Sequence, residues 1–258
     1  MTFSKVNLAY FSATGTTAKI VSAIESGLAA TERITINLTN PDQGELSIPG
    51  DEIIIFGIPV FSGRIPEIAR RGIEKIKGDH TPAIIACVYG NREFDDALLE
   101  LKDIVESNGF YVISAAAFVS QHSIFPKVAT GRPDSSDLAK AKEFGVNSLK
   151  IISAPLENTP LKVKGNRPYR PVKSIPLTPK ADGKCNACGL CSRQCPVQAI
   201  KTDNPKKTDK SKCISCAHCI YVCPQQARKF RGLLYRIASR KFIKNYSQRK
   251  EPYLVYRQ

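Results

Sequence analysis

Cys185-Asn186-Ala187-Cys188-Gly189-Leu190-Cys191-Ser192-Arg193-Gln194-Cys195-Pro196 is followed, 28 residues on, by Cys213-Ile214-Ser215-Cys216-Ala217-His218-Cys219-Ile220-Tyr221-Val222-Cys223-Pro224. Every cysteine of the second run has its counterpart at that offset, and so do the prolines and the pair Ala199/Ala227. This is an internal duplication, which chance spacing would not produce. Eight of the nine cysteines lie in the two runs, and only Cys87 lies outside them. A secreted chain with this density would suggest disulfides. Regular short spacings in a chain expected to lack a leader read instead as metal ligation. Zinc held by four cysteines at a time is the plain alternative, but zinc sites usually set CxxC pairs at the ends of longer loops.

Charge changes abruptly ahead of these runs. Residues 1–150 hold 15 Lys/Arg against 18 Asp/Glu, whereas residues 151–258 hold 23 against 5. A domain boundary near 150 is the simplest account of such a step. The 258 residues suit two unequal domains, and an apolar content of 42% supplies a real core. No stretch has the ~18 consecutive apolar residues of a membrane span. The chain is therefore expected to be soluble and cytoplasmic.

Before the boundary, apolar strand candidates (4–11, 33–38, 52–58, 82–89 and 110–118) alternate with helical stretches at about 16–29, 66–76, 94–107 and 135–152. Such alternation predicts a parallel sheet covered on both faces, with ligands at the carboxyl ends of its strands. The first of those ends is Ser12-Ala13-Thr14-Gly15-Thr16-Thr17, a loop of hydroxyls and one glycine opening a helix. Backbone N–H groups and the positive end of the helix dipole make it an anion site. It contains no lysine and lacks the GxxxxGK[ST] motif, so a monophosphate held by neutral donors suits it. Helix capping alone is the bland reading.

The cysteine runs closely resemble those of bacterial two-cluster ferredoxins. The resemblance implies two [4Fe–4S] clusters with crossed ligation: Cys185, Cys188, Cys191 and Cys223 on one, and Cys213, Cys216, Cys219 and Cys195 on the other. The S-x-T-G-x-T loop is similar to the phosphate loop of flavodoxins, which implies FMN held at Ser12, Thr14, Gly15, Thr16 and Thr17. Two further strand-end loops correspond to those that enclose the flavin ring: Pro59, Val60, Phe61, Ser62, Gly63 and Arg64, then Tyr89, Gly90, Asn91, Arg92 and Phe94. The chain has no Trp, so stacking would fall to Phe61, Tyr89 or Phe94. Over essentially its whole length the sequence resembles the flavodoxin–ferredoxin fusion proteins of anaerobic bacteria and archaea. The implied fold is α/β: a flavodoxin-like, doubly wound, parallel five-stranded sheet with a smaller C-terminal α+β ferredoxin-like domain. Expected boundaries are 1–153 for the FMN domain, 154–181 for a proline-rich strap, 182–229 for the cluster domain and 230–258 for a basic tail. Typical flavodoxins are strongly acidic. This domain is nearly neutral and carries Arg64 and Arg92 in the ring loops, so a very low flavin potential is not expected.

Remaining features carry bland readings beside functional ones. Cys87 sits mid-strand as a packing thiol. His122 follows the fifth strand, either bordering the flavin or bonded only to its own loop. His218 has no metal role, because four ligands are already assigned there. Six prolines between 155 and 179, interleaved with Leu161, Val163, Tyr169, Val172 and Ile175, suggest a semi-rigid strap packed on a domain surface. In the tail, Phe230, Leu233, Leu234 and Ile237 follow helical spacing among basic residues. That helix either packs back on the protein, drawn by clusters of charge roughly −2, or meets an acidic redox partner, a membrane surface or nucleic acid.

These readings converge on an electron carrier that needs no catalytic side chain and works with redox partner proteins, linking one-electron and two-electron couples. An FMN-dependent reductase of a small molecule, fed by the clusters, is the first rival; Arg64, Arg92 and His122 are its only evident substrate-directed groups. A redox-sensing nucleic-acid binder is the second, and nucleic acid is not the expected partner. The sequence leaves open whether flavin and cluster meet within one chain or across a homodimer.

Overall fold

The computed structural model describes residues 5–28, 30–40, 44–152, 159–172 and 175–258. In chain order the elements are β1 (Lys5–Tyr10), α1 (Thr16–Glu25), β2 (Glu32–Asn37), β3 (Leu46–Ile48), β4 (Ile53–Pro59), α2 (Glu67–Glu74), β5 (Ile76–Gly78), β6 (Thr81–Tyr89), α3 (Ala97–Ser107), β7 (Phe110–Val119) and α4 (Ser135–Ile152). After them come β8 (Lys180–Ala181), α5 (Leu190–Arg193), α6 (His218–Tyr221), β9 (Arg228–Lys229), α7 (Leu233–Tyr246) and β10 (Tyr253–Tyr256). Ser4 and Ala29, at the edges of two expected elements, and the strap's 154–158 with Pro155 lie outside the described residues.

The main sheet runs β10-β7-β6-β4-β1-β2, with β1, β2, β4, β6 and β7 parallel. Without β10, the order is that of a flavodoxin-like sheet, whose ligand crevice lies at the carboxyl ends where the winding reverses. β1, β4, β6 and β7 are buried almost throughout because α-helices cover both faces. Ile54, Phe56, Ile85 and Ala115 pack with Ala69, Ile73, Leu98 and Leu101 on one side. Leu8, Ile55, Ile84 and Phe118 pack with Ile20, Ile24 and Phe144 on the other. On that second side α1 and α4 cross backbone to backbone: a Cβ at Gly145 would sit 2.0 Å from the Ile24 carbonyl oxygen.

Two results differ from the sequence reading. β10 pairs antiparallel with β7, Tyr253 opposite Ala117 and Tyr256 opposite Ser114, so the tail adds a sixth strand and covers the sheet edge. Its alternation explains the fit. Tyr253 and Val255 join the core on one face, and Tyr256 joins the other. The second difference is the orientation of α7. Leu233, Leu234 and Ile237 are exposed, whereas Tyr235, Ala238, Phe242, Ile243 and Tyr246 pack inward with Phe125, Leu177 and Phe230. The inward face is the aromatic one, with Phe125 stacked on Tyr235 at 5.8 Å and tilted against Phe242 at 4.7 Å. Stacked rings outweigh the smaller aliphatic stripe.

Residues 159–172 lie along α3. Leu161 is buried in the core, Asp96 accepts from the Asn166 and Arg170 backbone N–H groups at 2.9 and 2.7 Å, and Asp103 binds Arg167 and the Tyr169 hydroxyl. Val172 faces solvent. The small C-terminal unit is ferredoxin-like α+β: the β8–β9 pair and two single-turn helices, α5 and α6, framing the cysteine loops.

Candidate functional site

The duplication persists in the backbone. Positive φ recurs at Ala187 and Ser215, at Gly189 and Ala217, and at Gln198 and Gln226, each pair 28 residues apart. These left-handed turns curl each CxxCxxC loop inward, bringing three cysteines onto one cavity. Cys185, Cys188, Cys191 and Cys223 line one cavity of about 20 Å³. Cys195, Cys213, Cys216 and Cys219 line a second of about the same size. Each fourth cysteine accepts a backbone hydrogen bond at the same repeat position: Ala199 N–H to Cys195 Sγ at 3.2 Å and Ala227 N–H to Cys223 Sγ at 3.3 Å. Among the described residues no three His, Cys, Asp or Glu side chains close on a single metal ion. Open quartets of soft sulfur ligands with N–H donors suit a bulky iron–sulfur core better than one zinc ion. Burial pushes the Cys216 thiol up to about 12 and the Cys219 thiol up to about 11, so a thiolate at either place calls for a cation beside it. Cys87 is fully buried in β6, and burial pushes its thiol well above the ordinary range.

The hydroxyl loop leads from β1 into the N-terminus of α1. Gly15 caps α1 at φ 79°, a left-handed conformation that favours glycine. Ser12 Oγ accepts the Ala18 N–H at 3.0 Å, and Thr39 Oγ1 accepts the Ser12 N–H at 3.0 Å. Thr14, Thr16 and Thr17 open into a cavity of about 50 Å³ walled by Pro59, Val60, Phe61, Val88, Gly90 and the 120–123 loop. A second cavity, about 340 Å³, shares Val60, Gly90 and His122 and adds Ser62, Gly63, Tyr89 and Arg92. Its remaining wall includes Leu177 of the strap and Leu234, Ala238 and Phe242 of α7. Neutral hydroxyls at a helix N-terminus, leading into a largely apolar slot, are a donor set that fits a phosphate carrying a flat ring.

Five of the residues expected at the flavin are used differently. Arg64 turns away: its Nε and Nη2 donate to Glu100 at 2.6 and 2.7 Å, Nη1 donates to the Arg170 carbonyl, and the Tyr169 ring lies 4.8 Å from the guanidinium carbon. The Glu100 hydrogen bond raises the Arg64 pKa further, so its charge is already matched there. Phe94 is a core ring between Tyr89 at 5.6 Å and Tyr253 at 5.5 Å. Asn91, left-handed at φ 63°, donates from Nδ2 to the carbonyls of Tyr246 and Gln248, pinning the tail. Ser12 and Gly15 line a different space, a cleft of about 540 Å³ between the hydroxyl loop and Arg193, Cys195 and His218. Arg92 keeps its place in the cavity wall but is paired with Asp95.

The structure adds residues that sequence reasoning missed. Cys216, a quartet member, also lines the cavity at the hydroxyl loop. His218 Nδ1 donates to the Ala13 carbonyl inside that loop at 2.7 Å. Nothing local in the sequence signals either contact, since both join segments some 200 residues apart. His122 borders both cavities and is also bonded to its own loop: its Nδ1 accepts the N–H groups of Ile124 and Phe125 at 3.1 and 3.2 Å. Burial, assisted by the Arg92 charge, lowers its pKa to about 4, so it is neutral at pH 7 with its proton on Nε2.

A pH dependence follows from His122. The unfolded imidazole takes a proton near its ordinary 6.5, whereas the folded one resists until about 4. Stability from this group is therefore complete above pH 6.5 and falls as pH drops toward 4, by about 2–3 kcal/mol. Urea midpoints between pH 7 and 4.5 should decline more steeply in the wild type than in His122→Gln.

Residues 184–227 match the family described as 4Fe-4S dicluster domain. A comparison with curated protein sequences finds no match. Among solved structures, the FMN-bound flavodoxin of Fusobacterium nucleatum is 16% identical with a TM-score of 0.39, over 57% of this chain and 96% of that one. Rubredoxin oxygen:oxidoreductase from Desulfovibrio gigas is 15% identical with a TM-score of 0.42, over 59% of this chain and 37% of that one. The flavodiiron core Flv1 of Synechocystis is 18% identical with a TM-score of 0.41, and the chain spans about a third of its length, 36%. The chain thus joins a flavodoxin-like fold to a segment of iron–sulfur dicluster type, and the combination supports an electron-transfer role. Among the described residues no helix is long and apolar enough to cross a membrane.

Proposed function

We propose that the protein passes electrons within one chain between two [4Fe–4S] clusters and FMN, joining one-electron carriers to a two-electron couple. One observation carries this reading: Cys216, of the quartet with Cys195, Cys213 and Cys219, also walls the cavity beside Thr14, Thr16 and Thr17. When bound, the clusters supply one-electron couples and FMN supplies a one- or two-electron couple. The protein's own residues set the path. Thr14, Thr16 and Thr17 would hold the phosphate, Val60, Gly90 and Tyr89 would bound the ring, and His218 ties α6 to the hydroxyl loop. Phe242 and Leu177 keep water from the outer side. The second quartet thus adjoins, through Cys216, the cavity that would hold the flavin, and the first faces outward through exposed Cys188.

Exposed Lys184 and Arg193 stand beside Cys185 and near Cys191 in sequence, exposed Lys206 and Lys207 follow Pro205 of that quartet's cavity wall, and Arg193 Nη1 donates to the Cys188 carbonyl. An acidic carrier protein, acting inside the cell, suits such a rim. Its reduction of the holoprotein should slow roughly tenfold or more between low and high salt. Stopped-flow rates should lose most of that dependence in the double variant Lys206→Glu, Lys207→Glu.

The rival small-molecule reductase finds less support. Arg64 is consumed by Glu100, Arg92 by Asp95, and His122 Nδ1 by its own loop, leaving few groups to direct a substrate. The nucleic-acid reading also weakens, because Arg249 and Lys250 in the tail are engaged with Asp134 and Glu93. Anaerobic preparation and analysis test the proposal: about eight irons and one FMN per chain are expected. Stoichiometric zinc, or no flavin uptake after reconstitution, would overturn it.

A further inference from the structure

Arg228 stands where the duplication breaks. After the fourth cysteine of the first run, Ala199 is followed by Ile200; after that of the second, Ala227 is followed by Arg228. The two occupy matching places. Ile200 lines the cavity of Cys195, Cys213, Cys216 and Cys219, and Arg228 lines that of Cys185, Cys188, Cys191 and Cys223. An isoleucine there is ordinary packing, whereas an arginine only 2% exposed is not. Burying a guanidinium carries a large desolvation cost unless an opposite charge compensates. Its Nη1 donates to the Pro205 carbonyl at 2.6 Å, and its Nη2 to the Pro179 carbonyl at 3.3 Å and to Thr208 Oγ1. Nη1 also lies 3.9 Å from Cys191 Sγ, while Nε is buried without a partner. No carboxylate among these contacts answers the charge; Asp182, at the end of β8, pairs with Lys229.

We infer that Arg228 is a fixed electrostatic tuning residue, a buried cation in the wall of the Cys185-Cys188-Cys191-Cys223 quartet that raises the reduction potential of the cluster this quartet would hold. This rests on the two-cluster reading above. A cation in a poorly screened interior favours whichever state carries more negative charge, and a reduced cluster carries one more than the oxidised form's roughly −2. The effect falls on the Cys185-Cys188-Cys191-Cys223 quartet, whose cavity Arg228 lines. The same attraction supplies the compensation that the buried guanidinium lacks within the protein.

The test uses the full chain, loaded anaerobically, as wild type, Arg228→Met and Arg228→Lys. Iron and sulfide are analysed first, and both clusters are then titrated by potentiometry with EPR detection. Arg228→Met is expected to raise the oxidised-to-reduced ratio at a fixed solution potential at least tenfold, which is 59 mV for a one-electron couple. Arg228→Lys, which keeps the charge, should stay within that tenfold. Unchanged potentials in Arg228→Met would overturn the inference. So would an equal fall in Arg228→Lys, which would assign the effect to hydrogen bonding. Should Arg228→Met lose its iron, Arg228→Lys decides alone: potentials within tenfold of wild type support the inference, and a larger fall overturns it. A wild type without two clusters defeats the functional proposal instead, which the iron analysis separates from the potentials.

Discussion

Replacing Arg64 with alanine is expected to destabilise the fold by about 3–5 kcal/mol, because it strands the Glu100 carboxylate in the core. Glu100 is 3% exposed, takes both guanidinium bonds, and also accepts the Ile65 N–H at 3.1 Å. A lost pair at the surface would cost under about 1 kcal/mol, so the size of the effect separates the two situations. The same guanidinium holds the Arg170 carbonyl, so the variant should loosen the strap along α3 as well. Far-UV circular dichroism in urea should report a lower midpoint with an unchanged slope. The double variant Arg64→Met, Glu100→Leu should recover much of the loss, since removing both partners leaves no buried charge. A single variant within 1 kcal/mol of wild type would mean that water reaches Glu100.

Cys195→Ala is expected to abolish the cluster of the other run. Cys195 belongs to the first run in sequence, yet it shares its cavity with Cys213, Cys216 and Cys219. Its loss should therefore remove the cluster nearer the hydroxyl loop while the Cys185-Cys188-Cys191-Cys223 quartet keeps its own. Metal binding and folding are coupled in so small a unit, so a marked fall in its thermal stability should accompany the loss. Iron analysis with EPR of the reduced protein distinguishes the two sites. Selective loss of the signal from the Cys185 quartet, with the other intact, would contradict crossed ligation.

Much of this molecule is legible along the chain because its signals are local. The repeat at Cys185 and Cys213, the strand–loop–helix at Tyr10–Thr16 and the alternation up to residue 152 each depend on near neighbours, and the parallel sheet follows from them. What stayed hidden depends on partners far away in sequence. The Arg64 side chain reads as a ring-loop cation until Glu100, on α3, is seen to capture it. Asn91 looks like a flavin contact, but its amide serves the carbonyls of Tyr246 and Gln248. α7 has two apolar stripes, and periodicity alone does not choose between Leu233-Leu234-Ile237 and Tyr235-Phe242-Tyr246; the aromatic neighbours Phe125 and Phe230 do. Tyr253-Leu254-Val255-Tyr256 is too short to announce itself as a strand, and its place beside β7 is fixed by an open sheet edge. Arg132 and Asp137, a buried pair, complete that attachment by holding the Lys250 carbonyl and Arg249.

Cys216 is expected to bring one cluster to the flavin within a single chain. Laser-flash injection of single electrons into the anaerobic holoprotein, with flavin and cluster absorbance followed separately, tests it directly. Electrons should move between cluster and flavin in a first-order phase whose rate constant is the same at every protein concentration. A rate constant that rises in proportion to protein concentration, or no exchange between the two chromophores, would contradict it.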